Sequence, residues 1–192
     1  YYPSYEQYIV ALDKGWHVAP SNNQDNHKGR WGNANDARDV ILAESLSEDA
    51  LYEAIRAMRV YATEDKNLEI TYTVNGNQLG SILTEVPENL SIDVTLYDPD
   101  KTDSISKVEV VVNSGKTAYT WDNAAELASG SLHVDLEPKY SYYFIRVHTF
   151  RRSLSEEIFY QFLYGRNTGR TAHHQNLADV VDRKFSVGQC LA

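Results

Sequence analysis

Along this chain the apolar positions keep a helical period near the start and change to a period of two from residue 68 onward. Tyr5, Tyr8, Ile9 and Leu12 recur at helical spacing behind Ser4-Tyr5-Glu6-Gln7, which has the Ser-x-x-Gln form of a capping box, and Gly15 is placed to end the helix. Trp16 to Ala19 reads as a short strand, and Arg38 to Ala43, with Val40-Ile41-Leu42, as a buried one. Ser45-Leu46-Ser47-Glu48 is a second capping box, and Leu46, Leu51, Ala54, Ile55 and Met58 form one stripe, so a helix is predicted over about 46–59. From Leu68 the pattern alternates through Val74 and breaks at Asn75-Gly76, a strong turn signal. Leu90 to Tyr97 alternates again, Val108 to Val112 is an apolar run broken only by Glu109, and Ser131 to Leu136 and Tyr142 to Thr149 complete the strand series. Beyond Arg151 the texture changes once more, with helical patterns over Ser155 to Tyr164 and Gln175 to Lys184 and a loop from Gly165 to Arg170 between them.

This order of elements predicts an α+β chain overall. The first part, helix, strand, loop, strand and helix, has the succession of an α/β architecture, and the strands at sandwich-like intervals predict an antiparallel β-sandwich. The boundaries fall at residues 1–65, 68–150 and 151–192, with the linker near Thr63-Glu64-Asp65-Lys66-Asn67. About 65 residues are too few for a closed parallel barrel or a full doubly wound sheet, so a further segment is expected upstream. Tyr1-Tyr2-Pro3-Ser4 fits that expectation, since it lacks the charged-then-apolar form of a leader.

Charge and composition narrow the function classes. A formal net charge of −9 argues against nucleic acid and against an anionic membrane surface, both of which need basic patches. No apolar run is long enough to span a bilayer. A single cysteine, Cys190, excludes an internal disulfide framework and a cysteine metal cluster. Its scarcity suits either side of a bacterial membrane, cytoplasmic or secreted and periplasmic.

The chemistry concentrates in the polar stretch Gly15 to Asn33. Asp25 and His27 stand two apart there, and in extended backbone such positions face the same side, presenting a carboxylate and an imidazole to one point. Asn22, Asn23 and Asn26 surround them, Gly29 and Gly32 let backbone approach a ligand, and Trp16 and Trp31 bracket the stretch. Asp25 and His27 are therefore the candidate metal ligands, with His17, Asn23 and Asn26 as candidates to support them from behind. No catalytic residue is assignable beyond these.

The run Gly-Trp-His-Val-Ala-Pro-Ser-Asn-Asn-Gln-Asp-Asn-His, followed by Gly29-x-Trp31-Gly32, resembles the final metal-binding motif of the PHP (polymerase and histidinol phosphatase) family. More narrowly, it is similar to the branch of predicted metallo-phosphoesterases that carry an extra C-terminal β-domain. The resemblance continues through Arg38 to Leu42, Ser45 to Met58 and Arg59 to Asp65 into the strand at Leu68, and so covers roughly residues 5–80. It implies the C-terminal end of a distorted α/β barrel, holding two or three divalent metals (Zn, Mn or Fe), that hydrolyses a small phosphorylated substrate with metal-activated water. The family's ligands come from an N-terminal His-x-His, from a carboxylate and histidines in its middle, and from a closing Asp-x-His. Only the closing pair is present, at Asp25 and His27, and no His-x-His occurs anywhere in the sequence. The implied partner is the upstream part of the same barrel, without which the chain is expected to be inactive.

An alternative is a non-catalytic sandwich that binds a carbohydrate or surface ligand, with Trp121 and Tyr119 near a strand end stacking on sugar rings. His133 and His148 fall on sandwich strands and read as structural, as do the adjacent His173 and His174, which point apart.

Overall fold

The computed structural model describes residues 4–100, 103–151, 185–186 and 190–191. The chain is α+β, with more strand than helix and mostly antiparallel pairing. Two of the helices lie where the helical spacing predicts them, as α1 (Ser4–Asp13) and α2 (Glu48–Arg56). In α2 the cap is Ser47, whose hydroxyl accepts from the Ala50 N–H, and not Ser45. That register puts Glu48 and Asp49 in the first turn, against the positive end of the helix dipole. Leu46 is left before the helix and 95% exposed, so the buried stripe shrinks to Ala54 with the half-buried Leu51 and Met58.

Two extended segments flank α2. β1 (Arg38–Ile41) and β2 (Val60–Thr63) pair antiparallel, Arg38 opposite Thr63 and Ile41 opposite Val60. The β1–α2–β2 stretch is thus not the parallel crossover that its order of elements predicts, and β1 is half-exposed where a buried strand is expected. The predicted strand at Trp16 to Ala19 does not form either. Residues 14–37 contain no helix or strand, Pro20 has no N–H to offer a ladder, and the His17 ring bonds the Gly80 carbonyl at 2.8 Å.

The period-two region gives β3 (Glu69–Val74), β4 (Asn77–Gln78), β5 (Ile82–Leu83), β6 (Leu90–Tyr97), β7 (Asp103–Val112), β8 (Lys116–Trp121), a short α3 (Ala124–Ala128), β9 (Ser131–Leu136) and β10 (Phe144–Arg151). Short strands β11 (Phe185–Ser186) and β12 (Cys190–Leu191) complete the set. A four-stranded sheet runs in the order β4-β3-β6-β9 and a six-stranded one in the order β1-β2-β12-β10-β7-β8, while β5 pairs with β11. β12 lies parallel to both of its neighbours, and every other pairing is antiparallel. The six-stranded sheet ends at β1 and β8, so no barrel closes among the described residues.

One buried cluster joins the two larger sheets. Ile70, Tyr72 and Val74 alternate inward from β3, and Leu90, Ile92, Val94 and Leu96 from β6, to meet Val108, Val110 and Val112 of β7 and Ile145 and Val147 of β10. β7 is buried at every position from Val108 to Val112, Glu109 included, because it is covered on both faces. On its outer face Val111, with Phe144 and Tyr142, packs against Tyr8, Ile9 and Leu12 of α1. The stretch read as a linker is a hydrogen-bonded corner with Thr63 and Asp65 buried, and the Tyr61 hydroxyl donates to Leu68 O and accepts from Ile70 N. The two predicted helices beyond Arg151 and the adjacent His173 and His174 lie outside the described residues.

Candidate functional site

The loop between α1 and β1 is built by short polar bonds. Asn23 Oδ1 accepts the Asp25 N–H at 2.9 Å and Asn26 Oδ1 accepts the Lys28 N–H at 2.8 Å, two Asx turns in succession. They set Asp25 at φ +43°, so its backbone is left-handed and not extended. The two candidate ligands still meet: His27 Nε2 lies 3.1 Å from Asp25 Oδ1. Local turn chemistry, not strand alternation, brings them together. Both side chains are exposed, at 86% for His27 and 55% for Asp25.

These two side chains line an open recess of about 410 Å³ with Asn22, Asn23, Asn26, Trp31 and Asp39. Its rear wall is fixed. Buried Asn22 donates its N–H to Asp39 Oδ1 at 2.5 Å and its Nδ2 to Thr63 O at 3.1 Å, tying the loop to β1 and β2. Trp31 is held by its Nε1–H to Asn26 O at 3.1 Å, and the Arg38 guanidinium donates to the carbonyls of Gly32, Asn35 and Ala37. Of the expected supporting residues, Asn23 and Asn26 stand in the recess and shape its turns. His17 does not line it and bonds Gly80 O instead.

One carboxylate and one imidazole suit a borderline divalent ion. Donors about 2.1 Å from one ion and at about a right angle lie about 3 Å apart, so the observed spacing serves a metal as well as a hydrogen bond. Two protein ligands are fewer than the three or four such an ion takes.

A second acidic cluster was not legible in the sequence as a site. Among the described residues, one trio of potential ligands converges within 4.8 Å: Asp65, Asp98 and Asp103. Asp65 lies in the predicted linker, Asp98 at a strand end and Asp103 at the start of β7. Burial, with the neighbouring carboxylates of Asp65, Asp103 and Asp100, raises the Asp98 pKa above the ordinary carboxylate value. Asp98→Asn keeps the acceptor that holds the Asp100 N–H at 2.9 Å and removes the repulsion. It is expected to stabilise the fold by about 0.5–1 kcal/mol at neutral pH in the presence of a chelator. Because the folded pKa is raised, the gain should shrink as the pH falls and the native Asp98 takes up a proton. Urea midpoints at neutral pH and near the ordinary carboxylate value of about 4 check both statements.

The other described histidines, His133 and His148, sit against carboxylates. His133 sits between Asp93 (2.8 Å) and Asp135 (3.6 Å) on the outer face of the four-stranded sheet, and its pKa is raised first by the Asp93 hydrogen bond. His148 is buried against Glu109. Trp121, the candidate sugar platform, is 1% exposed and meets Tyr119 edge to face at 4.9 Å, so its ring faces the core and not a ligand. No helix among the described residues is long and apolar enough to cross a membrane. Compared with known protein families, with curated proteins and with solved structures, the chain matches none of them.

Proposed function

We propose that the loop from Gly15 to Asn33 is the closing metal-binding motif of a PHP-like phosphoesterase, with Asp25 and His27 as two of the ligands of a divalent ion. The observation that carries this reading is the convergence of Asp25 Oδ1 and His27 Nε2 at 3.1 Å, side chains exposed, in a recess walled by Asn22 and Asp39. An ion held there supplies Lewis acidity, lowering the pKa of a bound water and offsetting charge on a phosphate ester. The remaining donors come from a partner segment, the upstream part of the same barrel. On this reading β1, α2 and β2 are what this chain contributes to that barrel, with β1 and β2 also continuing the six-stranded sheet of the antiparallel sandwich that follows. The substrate is a small phosphate ester, and the chain alone is inactive.

Calorimetric titration with Mn²⁺ or Zn²⁺ tests the ligand pair. Weak binding is expected, and Asp25→Ala and His27→Ala should each reduce it about tenfold or more. Binding unchanged in both variants would remove the metal reading. Turnover of p-nitrophenyl phosphate by this chain at a rate typical of enzymes would overturn the claim that ligands are supplied from elsewhere.

A further inference from the structure

On the outer face of the six-stranded sheet, beneath the first turn of α1, a charged cluster is buried that the recess does not use. Glu109 Oε2 accepts from Arg146 Nε and Nη2, each at 2.8 Å, and from His148 Nε2 at 2.7 Å. Glu109 Oε1 faces Lys107 Nζ at 3.3 Å and Thr117 Oγ1 at 3.2 Å. Arg146 also donates Nη1–H to the Tyr5 hydroxyl at 2.6 Å, with its guanidinium 5.4 Å from the centre of the Tyr5 ring. Tyr5 therefore ties the start of α1 to the cluster. The far end of α1 is pinned separately: Asp13 Oδ1 accepts the Ser114 N–H at 2.8 Å and the Tyr142 hydroxyl at 3.0 Å.

The proton inventory of this cluster is fixed by its geometry. An ionised carboxylate only accepts, so His148 Nε2 carries the hydrogen and Nδ1 is a bare lone pair. Nδ1 is buried and has no hydrogen-bond partner among the described residues. A proton arriving there makes a buried N–H without an acceptor and adds a third cation, after Arg146 and Lys107, around one carboxylate. The added charge repels the Arg146 guanidinium, whose Nη1–H is held by Tyr5 in the first turn of α1. We propose that Glu109, Arg146 and His148 form an acid-sensitive latch: uptake of a solvent proton at His148 Nδ1 detaches Tyr5 from Arg146 and frees the first turn of α1, while the last turn stays pinned by Asp13.

The groups facing His148 support the direction of this switch. Burial, then the Lys107 and Arg146 cations, lower its pKa against the opposing pull of Glu109. The folded value thus lies below the unfolded value of about 6.5, so the latch is closed above it and strained as the pH falls below it. Glu109, held at about 2, stays ionised across that window.

Backbone hydrogen exchange of the whole chain, corrected for intrinsic rates, provides the test at about pH 7.5 and about pH 5. Protection of the Tyr8 and Ile9 amides, which donate to the first turn, should fall about tenfold at the lower pH, with Gly15 and Trp16 unchanged. His148→Gln keeps a donor for Glu109 and cannot titrate, so its profile should be flat. Tyr5→Phe should loosen the first turn equally at both pH values. Equal loss along all of α1, a loss that persists in His148→Gln, or no loss in the native chain would each overturn the latch. Should His148→Gln fail to fold, the His148 titration followed by NMR decides: a midpoint at or above the unfolded value overturns it.

Discussion

Glu109→Ala is expected to destabilise the fold by about 3–5 kcal/mol. The Glu109 side chain is 8% exposed and that of Arg146 9% exposed, so neither charge has ready access to water. Five donors converge on the Glu109 carboxylate. Burial pushes its pKa up, but the bonds from His148 and Arg146 outweigh that and hold it down at about 2. Removal leaves the Arg146 guanidinium buried without its counter-charge, which costs more than the pair contributes over an apolar replacement. The double substitution Glu109→Leu with Arg146→Met should therefore recover much of the loss, and a double-mutant cycle by urea unfolding measures the coupling. The acid limb is a second readout. A carboxylate whose folded pKa is depressed stabilises above its unfolded value of about 4.3, and that contribution is lost as the pH falls toward the folded value. The native chain should show this loss, and Glu109→Ala should lack it. A cost below about 1 kcal/mol would show that Arg146 finds water once Glu109 is gone.

The same cluster shows where the sequence was legible and where it was not. The period-two pattern places β6 and β9 at their observed bounds, because each has one buried face and one wet face. It finds β7 by its apolar run yet gives no hint that Glu109, next to Val110, is buried, because the pattern cannot report that α1 covers the outer face of that sheet. β2 is four residues long and wholly buried, and β8 is polar on one side, so neither stands out from the chain around it. The strand predicted at Trp16 to Ala19 has no partner strand among the described residues, and backbone pairing is a tertiary property that no local pattern contains. The candidate pair was legible for a different reason from the one that singled it out. Alternation suggested that Asp25 and His27 share a side, whereas two Asx turns and a left-handed Asp25 bring them together. The Asn-rich composition of the loop carried that information. Asp65, Asp98 and Asp103 were invisible as a group because they come from three separate places in the chain.

Gly80→Ala is expected to cost about 3 kcal/mol or more, and the reason is contact as well as conformation. Gly80 sits at φ +85°, and a Cβ there would lie 2.3 Å from Ala57 O and 2.6 Å from Met58 O and from the Met58 carbonyl carbon. All three are backbone atoms at the end of α2, so relief requires moving a helix terminus, not a side chain. Gly76 provides the control. It sits at φ +76° in the turn after β3 with nothing within 4 Å, so Gly76→Ala meets the conformational penalty alone, about 1 kcal/mol. Equal losses for the two variants in thermal or urea unfolding would dismiss the close approach to α2. A larger loss at Gly80 should also reach the recess. Gly80 O is the acceptor for His17, which holds the chain just before the loop that carries Asp25 and His27. If that bond steadies the approach to the loop, Gly80→Ala weakens Mn²⁺ or Zn²⁺ binding at temperatures where the fold is still intact, and Gly76→Ala leaves it unchanged. Metal binding equal in the two variants would mean that the Asx turns and the anchor from Asn22 to Asp39 and Thr63 hold Asp25 and His27 without help from His17.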